Sequence, residues 1–455
     1  MDKKEQHKRI ISVVSNIVIW LFEIGAFSFV WFRCFYRGNH FYIKGNIAVI
    51  GMYGIFVYLI TKSMNGYKIS YMRISDLCLS NIISILLGGA AAYVITCLVW
   101  KDYVDIIPFV VMMVAQMAFA AVWMVLYRHV YINAFPPRKV IIIYGNYPLE
   151  FFLRKLNTRN DKYEVCEILN YQRGLEKICS DVLDFEGVFL YDLPADERNV
   201  IIKYCYENNI RTYVVPKITD IIMKGSEDLH LVDTPIFLSR NQGLSVDQCF
   251  VKRLMDIVIS FIAIVVTSPV MLIIAIIIKL YDRGPVLYKQ TRLTIGGKEF
   301  TIYKFRSMCR DAEAEGARLA CKEDARVTPV GRVLRDLHLD ELPQLFNVLR
   351  GDMSMVGPRP ERPEIFDKYE EAIQEFDFRL KVKAGITGYA QVYGKYNTTP
   401  IDKLKLDMIY IQEYSYWLDI KLMLMTFKIA FRKESSEGID INQKTALNND
   451  NDYMS

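Results

Sequence analysis

The first third of the chain alternates long apolar stretches with short polar ones. The four apolar stretches cover residues 10–32, 46–61, 77–100 and 104–127. Because about 20 apolar residues span the hydrocarbon core of a bilayer, three stretches are long enough and the second is short. The pattern predicts a membrane protein with an N-terminal bundle of four transmembrane helices over residues 1–135. Three spans, with the second stretch at the interface, are the alternative.

The placement of lysine and arginine predicts the orientation of these spans. With the N-terminus inside, the inner flanks hold Lys3, Lys4, Lys8, Arg9, Lys62, Lys68, Arg73, Arg128, Arg138 and Lys139. The outer flanks hold Arg33, Arg37, Lys44 and Lys101. The inner excess places everything after the fourth span in the cytoplasm, whereas three spans would place it outside.

A fifth apolar stretch, residues 257–278, has positive charge on both sides. Two basic residues precede it and two follow it: Lys252, Arg253, Lys279 and Arg283. Ser268 and Pro269 lie at its midpoint, where proline removes a helical hydrogen bond and predicts a kink. A re-entrant helix over 256–280, with both ends in the cytoplasm, fits this pattern. An ordinary kinked spanning helix fits it equally well.

Between residues 136 and 248, strand-like runs alternate with helical patterns. Strands are predicted at 140–145, 163–169, 187–191 and 212–215, and helices at 149–156 and 196–207. This alternation is typical of a parallel sheet and predicts a Rossmann-like α/β domain. The turn after the first strand has only Gly145 where a dinucleotide fingerprint has three glycines, and Tyr147 and Pro148 would crowd a pyrophosphate. A scaffold or regulatory role is therefore favoured over nucleotide binding.

Residues 249–433 carry most of the charged motifs and are predicted to form a mixed α/β catalytic domain. Residues 300–308 alternate as a strand that puts Lys304 and Arg306 on one face, a spacing that suits a phosphate. A charged, solvated edge strand is the alternative. Arg332 and Arg335 lie three residues apart, on one side of a predicted helical turn.

Two adjacent carboxylates, Asp340 and Glu341, open a short helix predicted over 341–349. Asp340 takes the N-cap position, Pro343 lies in the first turn and Gly351 ends the helix. The positive end of the helix dipole favours negative charge there. Since neighbouring side chains on a helix diverge, separate roles are predicted: one carboxylate attacks phosphorus and the other holds Mg²⁺. A plain helix cap is the structural alternative.

Three further segments complete the candidate chemistry. Pro358 and Pro360 fix the backbone on both sides of Arg359, which lowers the entropy lost when its guanidinium binds a phosphate. A glycine-rich turn at 383–391 can approach a ligand closely. Residues 404–431 have apolar positions at helical spacing, which suits either a bilayer interface or an ordinary core. The polar segment 434–455 is predicted to be disordered.

Composition narrows the class of protein. The chain has 455 residues, of which 52% are hydrophobic, and a net charge of +5. This apolar content favours a membrane protein, and no nucleic-acid-binding signature accompanies the mild positive charge. Nine cysteines occur without a CxxC pair and five histidines without metal-ligand spacing. Disulfides and a zinc site are therefore not expected.

An ordered set of motifs runs through residues 252–431. It comprises Lys252-Arg253, Asp256, Ser268-Pro269, Gly284-Pro285-Val286, Gln290, Arg292, Gly296, Lys304 to Met308, Arg332, Arg335, Leu339 to Gln344, Asn347 to Leu349, Gly351 to Ser354, Val356 to Pro360 and Gly385 to Gly388. In these residues the chain resembles the bacterial sugar transferase family, the monotopic polyprenyl-phosphate glycosyl-1-phosphate transferases. The spans and α/β domain in front look like those of its larger exopolysaccharide- and capsule-type members.

The resemblance implies a two-step reaction. Asp340 attacks the sugar-proximal phosphate of a UDP-sugar and releases UMP, and the covalent phosphosugar then passes to undecaprenyl phosphate. Glu341 holds Mg²⁺, while Lys304, Arg335 and Arg359 match basic active-site positions. Such a reaction initiates exopolysaccharide, capsule or O-antigen repeat-unit assembly. Substrate contacts are predicted for Arg306, Arg332, Pro358, Pro360, Gln391 and Asp407.

The resemblance also implies a location and partners. The protein is expected in the bacterial cytoplasmic (inner) membrane, with its catalytic domain on the cytoplasmic face. This favours re-entry of the fifth apolar stretch, with Ser268 and Pro269 at its kink. The expected partners are a UDP-sugar donor, undecaprenyl phosphate as acceptor and the lipid bilayer, with no nucleic acid. The sequence leaves homo-oligomer formation open.

Some positions depart from the family pattern. Position 338 is often a small hydroxyl residue and is His338 here, while Ala384 and Tyr389 replace the usual proline and tryptophan around the Gly-Ile-Thr-Gly turn.

Two other functions compete with a transferase. An inactive membrane scaffold or sensor is one competitor, but the basic and acidic positions are all present. A transporter or flippase is the other, but the four spans carry few internal charges, such as Glu23.

Overall fold

The computed structural model describes residues 3–35, 43–68, 72, 74–239, 243–309, 326–394 and 398–430. The tail predicted to be disordered, 434–455, lies outside these residues, as do the flanking cations Arg37 and Arg73.

The N-terminal part consists of four long apolar helices. They are α1 (Lys3–Val30), which continues as a π-helical turn (Trp31–Phe35), α2 (Ile43–Ser63), α3 (Ile74–Trp100) and α4 (Ile107–Ala134). Each is long and apolar enough to cross a membrane. The second helix is longer than its apolar stretch indicated, because polar residues at both ends continue the helix; its 21 residues match the length of a span.

The four helices pack into a bundle in which neighbours run in opposite directions. Phe27 stacks on Tyr53 at 4.2 Å between ring centroids, deep in the core. Lys8 lies 5.2 Å from the ring centroid of Tyr131, so the start of α1 is beside the end of α4. Asn16 donates to the Tyr67 carbonyl (3.1 Å), so the turn between α2 and α3 lies at that same end. This arrangement fits an even number of spans.

The middle part is built around a parallel sheet. Its strands are β1 (Arg138–Tyr144), β2 (Tyr163–Asn170), β3 (Gly187–Tyr191) and β4 (Arg211–Val214), in the order β2-β1-β3-β4. Its helices are α5 (Glu150–Asn157), α6 (Leu175–Val182), α7 (Ala195–Glu207) and α8 (Ile218–Lys224). Every pairing is parallel, which confirms the parallel α/β sheet predicted from the alternation. An antiparallel hairpin of β5 (Glu227–Leu231) and β6 (Thr234–Leu238) follows.

Helix α9 (Val246–Asp282) is the longest element, with 37 residues. It begins ten residues before the predicted 256–280, because Ser245 and Gln248 form a capping box ahead of the apolar stretch. Pro269 has no N–H to donate to the carbonyl of Val265, but the Ser268 hydroxyl donates to that carbonyl instead (2.8 Å). The helix is therefore unbroken at Pro269, and the predicted bend stays a prediction.

Both ends of α9 contact the same C-terminal domain. Near its start, Arg253 donates to the carbonyls of Val348 (2.7 Å) and Leu349 (2.8 Å). At its end, Asp282 forms an ion pair with Arg306. The apolar middle of the helix is largely exposed in the protein alone. Both ends of α9 therefore lie against one folded domain, and the predicted re-entry of this helix stays a prediction.

The C-terminal domain combines short strands with helices. Its strands are β7 (Leu287–Leu293), β8 (Glu299–Phe305), β9 (Ser354–Val356) and β10 (Gly385–Thr387). Its helices are α10 (Pro329–Asp336), α11 (Gln344–Arg350), α12 (Pro363–Ala372), α13 (Tyr389–Tyr393), α14 (Pro400–Gln412) and α15 (Tyr416–Ala430). β7 and β8 pair antiparallel, and β9 and β10 pair parallel. The domain boundaries given above, 1–135, 136–248 and 249–433, stay predictions.

The apolar pattern over 404–431 belongs to two helices rather than one. A break at Glu413 separates α14 from α15, and Phe431 lies outside the described residues. Tyr410 is 1% exposed and belongs to the domain core, whereas Phe427 is 63% exposed. Near its end α15 meets the bundle, where Lys428 donates to the Ser80 hydroxyl (2.6 Å).

Candidate active site

The adjacent carboxylates lie in a tight turn between two helices. His338, in the left-handed conformation (φ 54°), follows α10, and a 3₁₀ turn (Leu339–Glu341) comes next. The prediction that Asp340 caps a helix over 341–349 is wrong, because α11 begins only at Gln344, with Pro343 at its N-cap. Proline has no N–H, so the 3₁₀ turn ends before α11 begins. The helix dipole of α11 therefore gives no reason for a negative charge at Asp340.

Glu341 is held between two cations from distant parts of the chain. Lys304 Nζ on β8 lies 2.7 Å from Glu341 Oε1, and a guanidinium nitrogen of Arg359 lies 2.8 Å from the same oxygen. Burial alone would raise the pKa of Glu341, but Arg359 and Lys304 hold it well below its ordinary value. Glu341 is therefore ionised, and its second oxygen receives no hydrogen bond from the described residues.

Asp340 lies beside this cluster, but its carboxylate has a different environment. Its side chain is buried (8% exposed), yet among the described residues no ion pair or hydrogen bond engages its carboxylate. Burial and the neighbouring Glu341 raise the pKa of Asp340, while Lys304, Arg335 and His338 oppose that rise. A buried carboxylate without a structural partner is costly, and such groups are candidates for a functional site.

The loop that carries Arg359 is fixed through its backbone. Three consecutive carbonyls each accept a hydrogen bond. Pro358 accepts from the amide of Gly385 (2.9 Å), Arg359 from Arg379 (2.9 Å) and Pro360 from Arg292 (3.0 Å). Both prolines are buried, while the Arg359 side chain is 43% exposed. This is the rigid presentation of one arginine that the proline pair predicts.

A buried charged cluster supports this loop from behind. Arg379, 2% exposed, pairs with Asp407 (2.8 Å) and with Glu361 (3.3 Å), and Lys403 also pairs with Glu361. Asp407 is 1% exposed and its carboxylate is already engaged, so the geometry gives it a supporting role. Its predicted contact with substrate stays a prediction. Sequence reasoning missed Arg379, Glu361 and Lys403, since none of them belongs to a local motif.

Asn347 joins the strand that carries Lys304 to the helix that follows the turn with Asp340 and Glu341. Its amide donates to the Thr301 carbonyl (2.8 Å), and its carbonyl oxygen accepts from the Tyr303 amide (3.1 Å). Asn347 is fully buried on α11, and both partners lie on β8. These two hydrogen bonds hold α11 against the strand that carries Lys304.

The other predicted site residues lie in different settings. Arg306 is buried (9% exposed) and pairs with Asp282, which makes it a link between β8 and α9. Arg335 is half-buried on the side of α10 towards Asp340, whereas Arg332 is exposed. Gln391 donates to the Ile386 carbonyl (3.0 Å), and none of the described residues hydrogen-bonds its own buried oxygen. Their predicted substrate contacts stay predictions.

The donor groups fit a magnesium ion only together with a substrate. Among the described residues no group of three or more His, Cys, Asp or Glu side chains could hold a metal by itself. Magnesium, however, is commonly bound by one or two carboxylates plus substrate phosphates. The second oxygen of Glu341 supplies such a donor, and Lys304 and Arg359 beside it suit phosphate oxygens. The residues present therefore fit a shared metal–diphosphate site.

Comparison with known proteins identifies the C-terminal domain. The profile of the family described as bacterial sugar transferase matches residues 247–433. An uncharacterized sugar transferase of Bacillus subtilis is 38% identical over 177 residues, which cover 39% of this chain and 85% of the relative. The chain belongs to the bacterial sugar transferase family. The family resemblance that the motifs predicted is thereby confirmed.

Other members of the bacterial sugar transferase family carry more specific names. A UDP-N-acetylgalactosamine-undecaprenyl-phosphate N-acetylgalactosaminephosphotransferase of Aeromonas hydrophila is 46% identical over 182 residues, 39% of this chain and 43% of the relative. A UDP-glucose:undecaprenyl-phosphate glucose-1-phosphate transferase of Klebsiella pneumoniae is 39% identical over 223 residues, 48% of this chain and 47% of the relative. The matching part of the chain thus spans about half the length of these relatives.

Proposed function

We propose that this protein is an undecaprenyl-phosphate glycosyl-1-phosphate transferase. It transfers a sugar 1-phosphate from a UDP-sugar to undecaprenyl phosphate and so begins the assembly of a cell-surface polysaccharide. Family membership supports the class of reaction, and the names of the relatives support the donor and acceptor classes. Because the named relatives differ in their sugar, the sugar transferred here is left open.

The observation that carries the proposal is the carboxylate of Asp340, which pairs with none of the described residues and lies beside a neutralised Glu341. In the proposed mechanism an oxygen of Asp340 attacks the sugar-proximal phosphorus. The bond from that phosphorus to the bridging oxygen breaks, and UMP leaves. A phosphate oxygen of the lipid then attacks the same phosphorus, which forms the lipid diphosphosugar and returns Asp340 to its carboxylate form. A carboxylate nucleophile of this kind splits one difficult transfer into two easier ones.

The basic residues have separate roles in this proposal. Lys304 and Arg359 neutralise Glu341 in the free protein and turn towards phosphate oxygens when the donor binds. Arg335 offsets the burial of Asp340 and favours its ionised, nucleophilic form. Bound Mg²⁺, held by Glu341 and the diphosphate, would neutralise charge on the leaving UMP.

The location follows from the membrane part. We place the four helices as spans with their positively charged ends in the cytoplasm, which puts the C-terminal domain on the cytoplasmic face with the UDP-sugar. α9 enters and leaves the bilayer on that same side, as the contacts at both of its ends support. The exposed apolar middle of α9 then lies among lipid tails, close to the phosphate of a long-chain acceptor.

The test uses the purified full-length protein in lipid nanodiscs. It is incubated with undecaprenyl phosphate, Mg²⁺ and a panel of UDP-sugars, and UMP release is measured. When the UDP-sugar that supports UMP release is supplied without undecaprenyl phosphate, we expect a phosphosugar adduct. Mass spectrometry should map this adduct to the peptide that contains Asp340. The Asp340→Asn protein should form no adduct, while Asp336→Asn, an exposed carboxylate at the end of α10, should behave like the wild type. An adduct at any other residue would exclude this mechanism.

A further inference from the structure

Helix α14 lies between the middle domain and the C-terminal domain. Asp402, Lys405 and Ile409 share one face of α14, and this face meets the middle domain. Asp402 pairs with Lys155 of α5, and Ile409 lines a cavity of about 260 Å³ together with Arg198 and other residues of the middle domain. At the end of α14, Glu413 pairs with Lys224 of α8. The middle domain therefore contacts α14 along its whole length.

The surface that α14 covers is the carboxyl edge of the parallel sheet. Asp192 follows β3, and its carboxylate accepts from the Tyr147 amide (3.2 Å) and lies 3.4 Å from Lys217 Nζ. Burial lowers the pKa of Lys405 on α14, and the carboxylates of Asp402 and Asp192 oppose that shift. In parallel α/β sheets this edge is where ligands bind. Here a carboxylate occupies the turn after β1, where a phosphate would lie, and α14 covers the edge.

The opposite face of α14 supports the candidate active site. Lys403 pairs with Glu361, and Asp407 pairs with Arg379 (2.8 Å). Arg379 donates to the backbone carbonyl of Arg359 (2.9 Å). The contacts thus run without interruption from the middle domain, through α14 and Arg379, to the loop that presents Arg359 to Glu341.

We propose that the middle domain is a positioning element for Arg359: it holds α14 in place, and α14 holds the loop that carries this arginine. Ile221 of α8 shows how tight the contact is, since it is 2% exposed and belongs to the same apolar cluster as Leu404 and Met408 of α14. The inference rests on the proposed function for its activity readout, but its structural readout does not need a substrate.

A wedge between the two domains tests this proposal. Gly225 ends α8, and a Cβ at this position would lie 2.6 Å from the Cβ of Gln412 on α14. Its backbone (φ −88°, ψ 4°) is open to any residue, so Gly225→Leu adds bulk without backbone strain. Asn208 is the matched control, because it ends α7 with nearly the same backbone (φ −92°, ψ 10°) and is exposed.

Hydrogen–deuterium exchange of the full-length protein in nanodiscs, without substrate, gives the first readout. In Gly225→Leu we expect faster exchange in peptides covering 354–362 and 400–412, with β1 and β3 unchanged. Asn208→Leu should match the wild type. Gly225→Leu combined with Gln412→Gly, which removes the side chain that the wedge meets, should restore slow exchange. Unchanged exchange at 354–362 in the wedge variant would overturn the proposal, and so would faster exchange throughout the protein.

UMP release with the most active UDP-sugar gives the second readout. We expect Gly225→Leu to lower kcat/KM about tenfold, and the Gln412→Gly combination to recover most of it. The two readouts separate the two proposals. Exchange that changes as expected in a protein inactive with every UDP-sugar refutes the transferase function and keeps the positioning role. Full activity in the wedge variant refutes the positioning role and keeps the transferase function.

Discussion

Two charged clusters lie back to back in the C-terminal domain, and they differ in how completely their charges are paired. The rear cluster, with Arg379 and Asp407, is almost fully buried, and both charges have partners. The front cluster pairs Glu341 with Lys304 and Arg359 but leaves Asp340 without a partner among the described residues. Arg359 belongs to both, because its backbone contacts the rear cluster and its side chain the front one.

The difference separates two uses of buried charge. A buried ion pair rarely adds net stability, because desolvation offsets the attraction, but removing one partner is costly. The rear cluster therefore holds a fixed geometry that single substitutions break. In the front cluster none of the described residues pairs with the carboxylate of Asp340. Under the proposed function this carboxylate reacts, and Lys304 and Arg359 exchange Glu341 for a phosphate. Substitutions at the front should thus affect the reaction, and those at the rear should affect the fold.

The largest effect on activity is expected from Asp340→Asn. Loss of the proposed nucleophile should abolish UMP release, down to the assay background or by at least about a thousandfold. Since none of the described residues pairs with the native carboxylate, a neutral amide should leave the melting temperature equal or higher. The measurement pairs a UMP assay with thermal unfolding in nanodiscs. A strongly lowered melting temperature would mean that Asp340 stabilises the fold, as the rear cluster does.

Glu341→Gln should have the next largest effect. The amide cannot neutralise Lys304 and Arg359, and it is a weaker metal ligand than a carboxylate. We expect activity to fall by about a hundredfold, with a higher Mg²⁺ concentration needed for half-maximal rate. A Mg²⁺ titration of UMP release checks this. An unchanged Mg²⁺ dependence would remove Glu341 as a metal ligand and leave it as a partner of the two cations.

Asp407→Asn should act on the fold. It leaves Arg379 buried next to a neutral partner, and breaking such a pair costs roughly 3–5 kcal/mol. Thermal or denaturant unfolding of the C-terminal domain in nanodiscs measures the loss, and Asp367→Asn, which changes an exposed carboxylate on α12 of the same domain, is the control. If stability is kept while the KM for the donor rises, the substrate contact predicted for Asp407 is the better account.

The smallest effect is a difference in acid response between the clusters. Burial alone would raise the pKa of Glu361, but Lys403 and Arg379 lower it to about 2. A depressed carboxylate contributes stability above its unfolded pKa, near 4.5, and loses it only as pH falls towards 2. The pKa of Asp340 is raised, so its ionised form is lost at a higher pH. On acidification UMP release should fall before the melting temperature does; the reverse order would contradict this contrast.

Local patterns were enough to predict the apolar helices, the parallel sheet and the front cluster. The proline pair around Arg359 indicated a rigid loop, and the adjacent carboxylates indicated a site. The start of α11 was mispredicted because Asp340 and Pro343 each resemble a helix start, and tertiary contacts decide between them. The rear cluster was beyond such reasoning, since Arg379 and Asp407 are 28 positions apart and meet only in the folded domain.

The attachment of α9 at both ends has a mechanical consequence. When the hydrocarbon core of a membrane becomes thinner or thicker, a helix that crosses it tilts or the bilayer around it deforms. Here the two ends are tied to one rigid body through Arg253 and Asp282. Changes in lipid chain length therefore cannot pull these ends apart. Under the proposed re-entry of α9, the protein itself sets the height of Asp340 above the head groups, and the proposed reaction should tolerate membranes of different thickness.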